Sequence, residues 1–226
     1  MANHLDLEEQ EQIEQLKHFW NSWGTLITAI LVVVFAALAG WNGWQYWQKR
    51  QAVQASALEY AVDEALLAKD AGRADHAFAE LKEKFAGTIQ ATQTALQMAK
   101  ASVEAGKLDD AKAQLSWVAE KGDEGYKALA RLRLSAVLEE QKNYDEGLKV
   151  LEASMPESFA GLQADRRGDL YAALGKQAEA IAQYQTAYKA MDKELDYRHL
   201  VEFKLNALVT RPDVVAEVKI KTTAEN

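Results

Sequence analysis

From Phe19 to Gln48 the chain carries no Asp, Glu, Lys or Arg, a run of 30 residues. Its centre, Gly24 to Trp41, reads GTLITAILVVVFAALAGW. A bilayer core is about 30 Å thick and a helix rises about 1.5 Å per residue, so about 20 apolar residues span it. Trp20 and Trp23 mark one end of the run; Trp41, Trp44, Tyr46 and Trp47 mark the other. Indole rings favour the headgroup level, apolar body inward and N–H outward. Lys49 and Arg50 then snorkel toward phosphates. Two aromatic belts with an apolar run between them predict a transmembrane helix over 24–47, in contact with the lipid bilayer. A buried core helix does not explain the flanking tryptophans. A cleaved signal peptide is suggested by Ala37-Leu38-Ala39, but such a peptide has a basic start. Residues 1–23 instead hold Asp6, Glu8, Glu9, Glu11 and Glu14 against Lys17. The flanking charges, Lys17 against Lys49 and Arg50, lean by one toward a cytoplasmic C-terminal side, too small a bias to fix orientation.

Beyond the run the chain is made for helices. There are 12 Gly and only two Pro, Pro156 and Pro212, in 226 residues. Ala, Leu, Glu, Lys and Gln dominate the intervals, and all are good helix formers. Four segments align on their turns: Arg73–Ala77, Lys107–Ala111, Asn143–Gly147 and Lys176–Ala180. Their last residues, Ala77, Ala111, Gly147 and Ala180, are spaced by 34, 36 and 33. Tetratricopeptide (TPR) units are about 34 residues long. Close crossing of the two helices of a unit calls for a small residue on helix A, twelve positions earlier. Ala65, Ala99, Ser135 and Gly168 stand there. Gly72, Gly106 and Gly175 precede three of the turns. The expected fold is therefore all-α: one N-terminal transmembrane helix, then a TPR-like α-solenoid of about four helix pairs (52–86, 91–121, 126–154 and 160–191). Residues 195–208 form a helix capping the open end. The TPR-like domain covers 48–209, and 210–226 form a loose tail. The units are degenerate: the usual Trp of helix A and the Pro after helix B are missing.

No catalytic constellation stands out. The chain has no cysteine, which removes disulfides, thiolate metal sites and Cys nucleophiles. His4, His18, His76 and His199 are scattered, with no pair at helical metal-site spacing. Asp109-Asp110 and Asp145-Glu146 fall at starts of B helices, where acids complement the helix dipole. No phosphate loop or Ser-centred turn is present. The expectation is a non-enzyme with no catalytic residue, cofactor or metal. Net charge is −8, of which −6 lies after residue 50. An acidic domain without a basic patch argues against nucleic acid as a partner. In a TPR stack the helix A residues line the concave side, and this predicts a partner groove from Gln93, Leu96, Lys100, Glu104, Leu129, Leu132, Glu140, Asp165 and Asp169.

The residues also resemble a known family. An acidic start leads into Ile13-Glu14-Gln15-Leu16-Lys17-His18-Phe19-Trp20, followed by Gly40-Trp41 with Tyr46-Trp47, then Ala55-Ser56-Ala57-Leu58-Glu59-Tyr60 and Gly106–Ala111. Ala164-Asp165-Arg166-Arg167-Gly168-Asp169-Leu170 and Glu202-Phe203-Lys204-Leu205-Asn206-Ala207-Leu208 complete the set. In this order the motifs resemble the YfgM family, the ancillary subunit of the bacterial SecYEG translocon. The resemblance implies a cytoplasmic N-terminus (1–23) and a periplasmic C-terminal domain on the inner membrane of a Gram-negative cell. It implies three kinds of partner: the SecYEG translocon, a membrane-anchored periplasmic chaperone of the peptidyl-prolyl isomerase type, and exported client polypeptides. The alternative is an assembly or regulatory adaptor for another envelope complex, including sequestration of a stress-response regulator.

Overall fold

The computed structural model describes residues 7–209, and no strand occurs among them. The expected tail, 210–226, lies outside the described residues. Nine α-helices succeed one another in the described part: α1 Leu7–Leu67, α2 Ala71–Phe85, α3 Ile89–Glu104, α4 Leu108–Lys121, α5 Glu124–Glu140, α6 Tyr144–Val150, α7 Ala160–Ala173, α8 Gln177–Ala190 and α9 Asp196–Val209. The chain divides into two compact units, Met1–Val53 and Gln54–Asn226.

In the first unit the whole charge-free run is helical. Among the described residues, α1 alone is long and apolar enough to cross a membrane. Only 6 % of its most apolar window is buried, which argues against a core helix. Trp20, Trp23, Trp41, Trp44 and Trp47 are all exposed, and the Trp41 and Trp44 rings lie 5.7 Å apart, centroid to centroid. Lys49 and Arg50 are exposed beyond them.

The second unit is a stack of helical hairpins whose turns share one chemistry. Helix A of each hairpin ends with a residue in the left-handed region: Lys69 (φ 56°), Gly106 (71°), Lys142 (62°) and Gly175 (72°). In each case the next N–H reaches back five residues: Asp70 to the Ala65 carbonyl, Lys107 to Ser102, Asn143 to Leu138 and Lys176 to Tyr171, at 2.8–2.9 Å. The left-handed residue itself bonds three back, to Leu66, Val103, Glu139 and Ala172. This pair of bonds is the Schellman closure, which satisfies carbonyls left open at a helix end. Glycine takes the left-handed conformation without a Cβ penalty; the two lysines take it at a cost.

These turns set the register, and the register differs from the sequence reading in the first hairpin. Five residues past each left-handed residue come Ala74, Ala111, Gly147 and Ala180, all buried. Seven before it come Val62, Ala99, Ser135 and Gly168, also buried. The pattern Arg73–Ala77 is thus shifted by three, and Ala65 and Ala77 sit in the same core one turn further along. Gly72 invited the shift, yet it lies inside α2, and Lys69 makes the turn. The third hairpin differs too. α6 ends at Val150 instead of continuing to 154, and a 3-10 turn, Glu157–Phe159, leads into α7. Pro156 disfavours helix at the residue before it and offers no N–H to continue one.

Packing follows from small residues at the crossings. A Cβ on Gly147 would stand 3.2 Å from both Leu170 methyls and 3.6 Å from the Ser135 carbonyl. One on Gly168 would stand 2.5 Å from the Tyr184 ring. Around these contacts Leu81, Leu115, Leu138, Leu151 and Leu170 are fully buried. Trp117, the tryptophan outside the apolar run, packs between two apolar clusters that include Leu115 and Leu81. Asp70, Thr88 and Asp123 cap α2, α3 and α5 by accepting an N–H three residues on, each such cap contributing about 1 kcal/mol.

Gly168→Val is expected to lower the stability of the second unit by about 2–3 kcal/mol through overpacking against Tyr184. Gly125→Ala, where the nearest atom is 3.6 Å away, stays within about 1 kcal/mol of the parent. Urea titration followed by circular dichroism at 222 nm measures both. Lys142→Gly is expected to raise the same midpoint, since it removes a left-handed non-glycine residue costing about 1–2 kcal/mol.

Candidate functional site

Consecutive A helices lie side by side, and polar bridges tie them together. Gln97 Nε2 donates to Asp63 at 2.7 Å, joining α3 to α1. Gln93 Nε2 donates to the Tyr126 hydroxyl at 2.8 Å, joining α3 to α5. Arg166 donates to Glu139 at 2.6 Å, joining α7 to α5. Lys204 donates to both Asp165 and Asp169, joining α9 to α7.

Between α3 and α5 the bridge holds only one end. Past Gln93 and Tyr126 the helices leave a hollow of about 320 Å³. Leu96, Ala99 and Val103 of α3, Leu115 of α4, and Ala136 and Val137 of α5 form its apolar walls. Lys100, Glu104, Arg133 and Glu140 stand at its edges, two of each sign. Lys100 and Glu104 lie 3.8 Å apart and are both exposed, so their pairing is weak and readily exchanged for a ligand's charges. Val103 is 38 % exposed, which leaves apolar surface open to a partner. The arrangement offers contact to an apolar side chain and salt links to its neighbours, with nothing at its centre to polarise a bond.

The structure divides the nine expected groove residues. It brings Leu96, Lys100, Glu104 and Glu140 together around the hollow and sets Gln93 at its bridged end. Leu132 instead packs in the core with Leu151 and Leu170, and Leu129 packs half-buried against the larger apolar cluster. Asp165 and Asp169 do not line an open groove. Asp165 is completely buried, held by Lys204 Nζ at 2.9 and 3.0 Å and by the Tyr197 hydroxyl at 2.7 Å. Asp169 accepts from Lys204 at 2.7 Å, from Tyr184 at 2.8 Å and from Arg166 at 2.9 Å. Burial, with the adjoining carboxylates, pushes both phenols far above their ordinary range, so each remains a neutral donor. Sequence reasoning missed Ala99, Val103, Leu115, Arg133, Ala136 and Val137. The signal for most of them was present: stepping three and four residues from Leu96 gives 99, 100 and 103, and stepping back from Glu140 gives 137, 136 and 133.

A stack of Schellman-closed helical hairpins defines a helical-repeat protein. The chain belongs to the family described as tetratricopeptide repeat-like domain, whose model matches residues 17–210. It is also similar to two proteins named ancillary SecYEG translocon subunit. One, from Neisseria gonorrhoeae (strain ATCC 700825 / FA 1090), is 35 % identical over 130 residues, covering 57 % of this chain and 62 % of the relative. The other, from Escherichia coli (strain K12), is 32 % identical over 130 residues, covering 56 % and 63 %. The similarity thus spans about three fifths of each relative's length.

Asp165→Ala is expected to cost about 3–5 kcal/mol, because it leaves a largely buried ammonium short of one of its two carboxylates. Glu104→Ala, at an exposed pair, shifts stability by less than about 0.5 kcal/mol. Chemical denaturation of both variants under identical salt checks the contrast.

Proposed function

We propose that the chain is a membrane-anchored TPR scaffold that associates with the Sec translocon. The apolar hollow edged by Lys100, Glu104, Arg133 and Glu140 is the observation that carries the docking role. It suits short peptide or helical segments that present one or two apolar side chains flanked by charge. The similarity to two proteins named as ancillary translocon subunits supports the choice of the Sec machine. The segment 24–47, with exposed apolar side chains and tryptophans at both ends, supports an anchor that keeps the scaffold at the membrane.

In this reading the N-terminus is cytoplasmic and residues after the anchor are periplasmic. Large domains translocate largely regardless of a one-charge flanking bias. The groove then meets newly exported polypeptides and a membrane-anchored chaperone of the peptidyl-prolyl isomerase type. Mixed charge at the edges favours loose, exchangeable binding, which suits a holding role better than capture. No step of this reading needs a catalytic group.

Three experiments test it. A photo-reactive residue at Val103 or Ala136, in full-length protein in native inner membranes, is expected to give adducts with translocating polypeptides and with translocon or chaperone subunits. Adducts exclusively with division or secretion components would assign the scaffold to another envelope complex. Ala136→Arg, which fills the hollow from an exposed position, is expected to weaken peptide binding at least tenfold while leaving thermal stability unchanged. A reporter active only in the periplasm, fused after the last helix, gives signal if the orientation is right and none if it is reversed.

A further inference from the structure

α9 is held in two ways: it packs on α8 through Val201, Leu205 and Leu208 and through Arg198, which donates to the Tyr188 carbonyl at 3.0 Å and stands 3.8 Å over its ring, and it is tied to α7 by charge. Of its 14 residues only Val201 is buried, with Leu205 and Leu208 partly so. Leu200 and Phe203 are exposed, Phe203 to 71 %. Its directed contacts to α7 are Lys204 to Asp165 and Asp169 and Tyr197 to Asp165. Tyr197 and Lys204 are seven residues apart, two turns along one face. Asp165 and Asp169 are four apart, one turn along the facing helix. Tyr197 and Lys204 converge on Asp165, and Lys204 alone reaches Asp169 as well.

The balance of charge at this contact depends on α9. Glu139, Asp165 and Asp169 face Arg166 and Lys204, three carboxylates against two cations. Without Lys204, three carboxylates face Arg166 alone. The exposed face of α7 would then be anionic, with the Tyr184 hydroxyl directed at Asp169 and its ring, over which Lys204 Nζ now stands at 5.5 Å, open to another cation. Buried ion pairs fix register strongly but add little net stability, since desolvation offsets most of their attraction. Helices with few buried apolar contacts open at lower free energy than the core around them.

We propose that the Asp165–Asp169 face of α7 is a second docking site, specific for a cationic helix, and that α9 is its intramolecular occupant. A partner helix with Lys or Arg in the place of Lys204, and a hydroxylated aromatic two turns before it, competes with α9 for the site. Partner binding at this end of the stack is thereby coupled to release of α9. This site is separate from the hollow between α3 and α5 and does not depend on which membrane machine the scaffold serves.

Full-length protein in detergent micelles tests the proposal by hydrogen exchange and by binding of a fluorescein-labelled peptide with the sequence of residues 195–209. In the unmodified chain, amides of α9 are expected to exchange at least tenfold faster than those of α7 and α8. Lys204→Met should speed α9 exchange a further tenfold with α7 and α8 unchanged, and should let the peptide bind at least tenfold more tightly than to the parent. Replacing the peptide's own lysine at the Lys204 place by glutamate, or Asp169→Asn in the receptor, should remove that gain. Tyr197→Phe, which takes away one hydrogen bond and no charge, should give the same pattern in weaker form. Exchange of α9 only together with α7 and α8 would make it part of the core and overturn the proposal. Failure of the peptide to bind a Lys204→Met chain, or binding indifferent to the lysine-to-glutamate change, would do the same. None of these readouts involves the translocon, so the two proposals fail separately.

Discussion

The second unit depends on backbones coming close where helices cross, and that closeness depends on side chains that are absent. At Gly168 the space a Cβ would take is filled by the Tyr184 ring. At Gly147 it is filled by Leu170. Both glycines lie within helices, where the residue is unfavourable by about 1 kcal/mol relative to alanine. Aromatic and leucine packing in the vacated volume offsets that loss, since burying one such side chain contributes about 1.5–3 kcal/mol. The same crossing orders the polar cluster on α7. With Gly168 against Tyr184, the Tyr184 hydroxyl reaches Asp169, and Asp169 in turn meets Lys204.

The repeating turn explains how degenerate units keep one geometry. The usual helix A tryptophan and the terminal proline are missing, yet four turns close with the same pair of backbone bonds. Backbone bonding constrains side-chain identity only at the left-handed position, and even there lysine serves twice. A solenoid needs each unit to present the same angle to the next, because each unit contacts only its neighbours. Constant turn geometry supplies that angle while the side chains diverge.

How far the sequence was legible follows from the same distinction. The helical class and the apolar run were readable because they rest on composition and local spacing, and the turns at Gly106, Lys142 and Gly175 fall within the repeat that spacing suggested. The first turn lies three residues earlier than the repeat alignment suggested, because Gly72 stood where a turn glycine was expected while Lys69 adopts φ 56° without any sequence mark. The groove was half readable. Helical period identifies residues that share a face, but not whether that face meets a neighbour or solvent. Thus Leu96 and Lys100 line the hollow, whereas Leu132, on the next A helix, enters the core. The burial of Asp165 and the partial burial of Asp169 were unreadable, since the side chain that neutralises them is 39 and 35 positions downstream, respectively.

The polar bridges between A helices give the stack a directional character. At the α1–α3 and α3–α5 junctions the bridges are neutral or singly charged hydrogen bonds from glutamine. At α5–α7 and α7–α9 they are ion pairs sheltered from solvent. Neutral exposed bridges break and re-form at little cost, while sheltered charges fix register and tolerate only a replacement of like charge. On the proposed docking role, a ligand in the hollow between α3 and α5 would meet a junction bridged only by exchangeable hydrogen bonds, with apolar walls. On the proposal for α7, a ligand there would meet a template that demands a cation at one place. On the two proposals together, one chain would carry a permissive surface and a selective one, and the difference would trace to which residue types bridge neighbouring A helices.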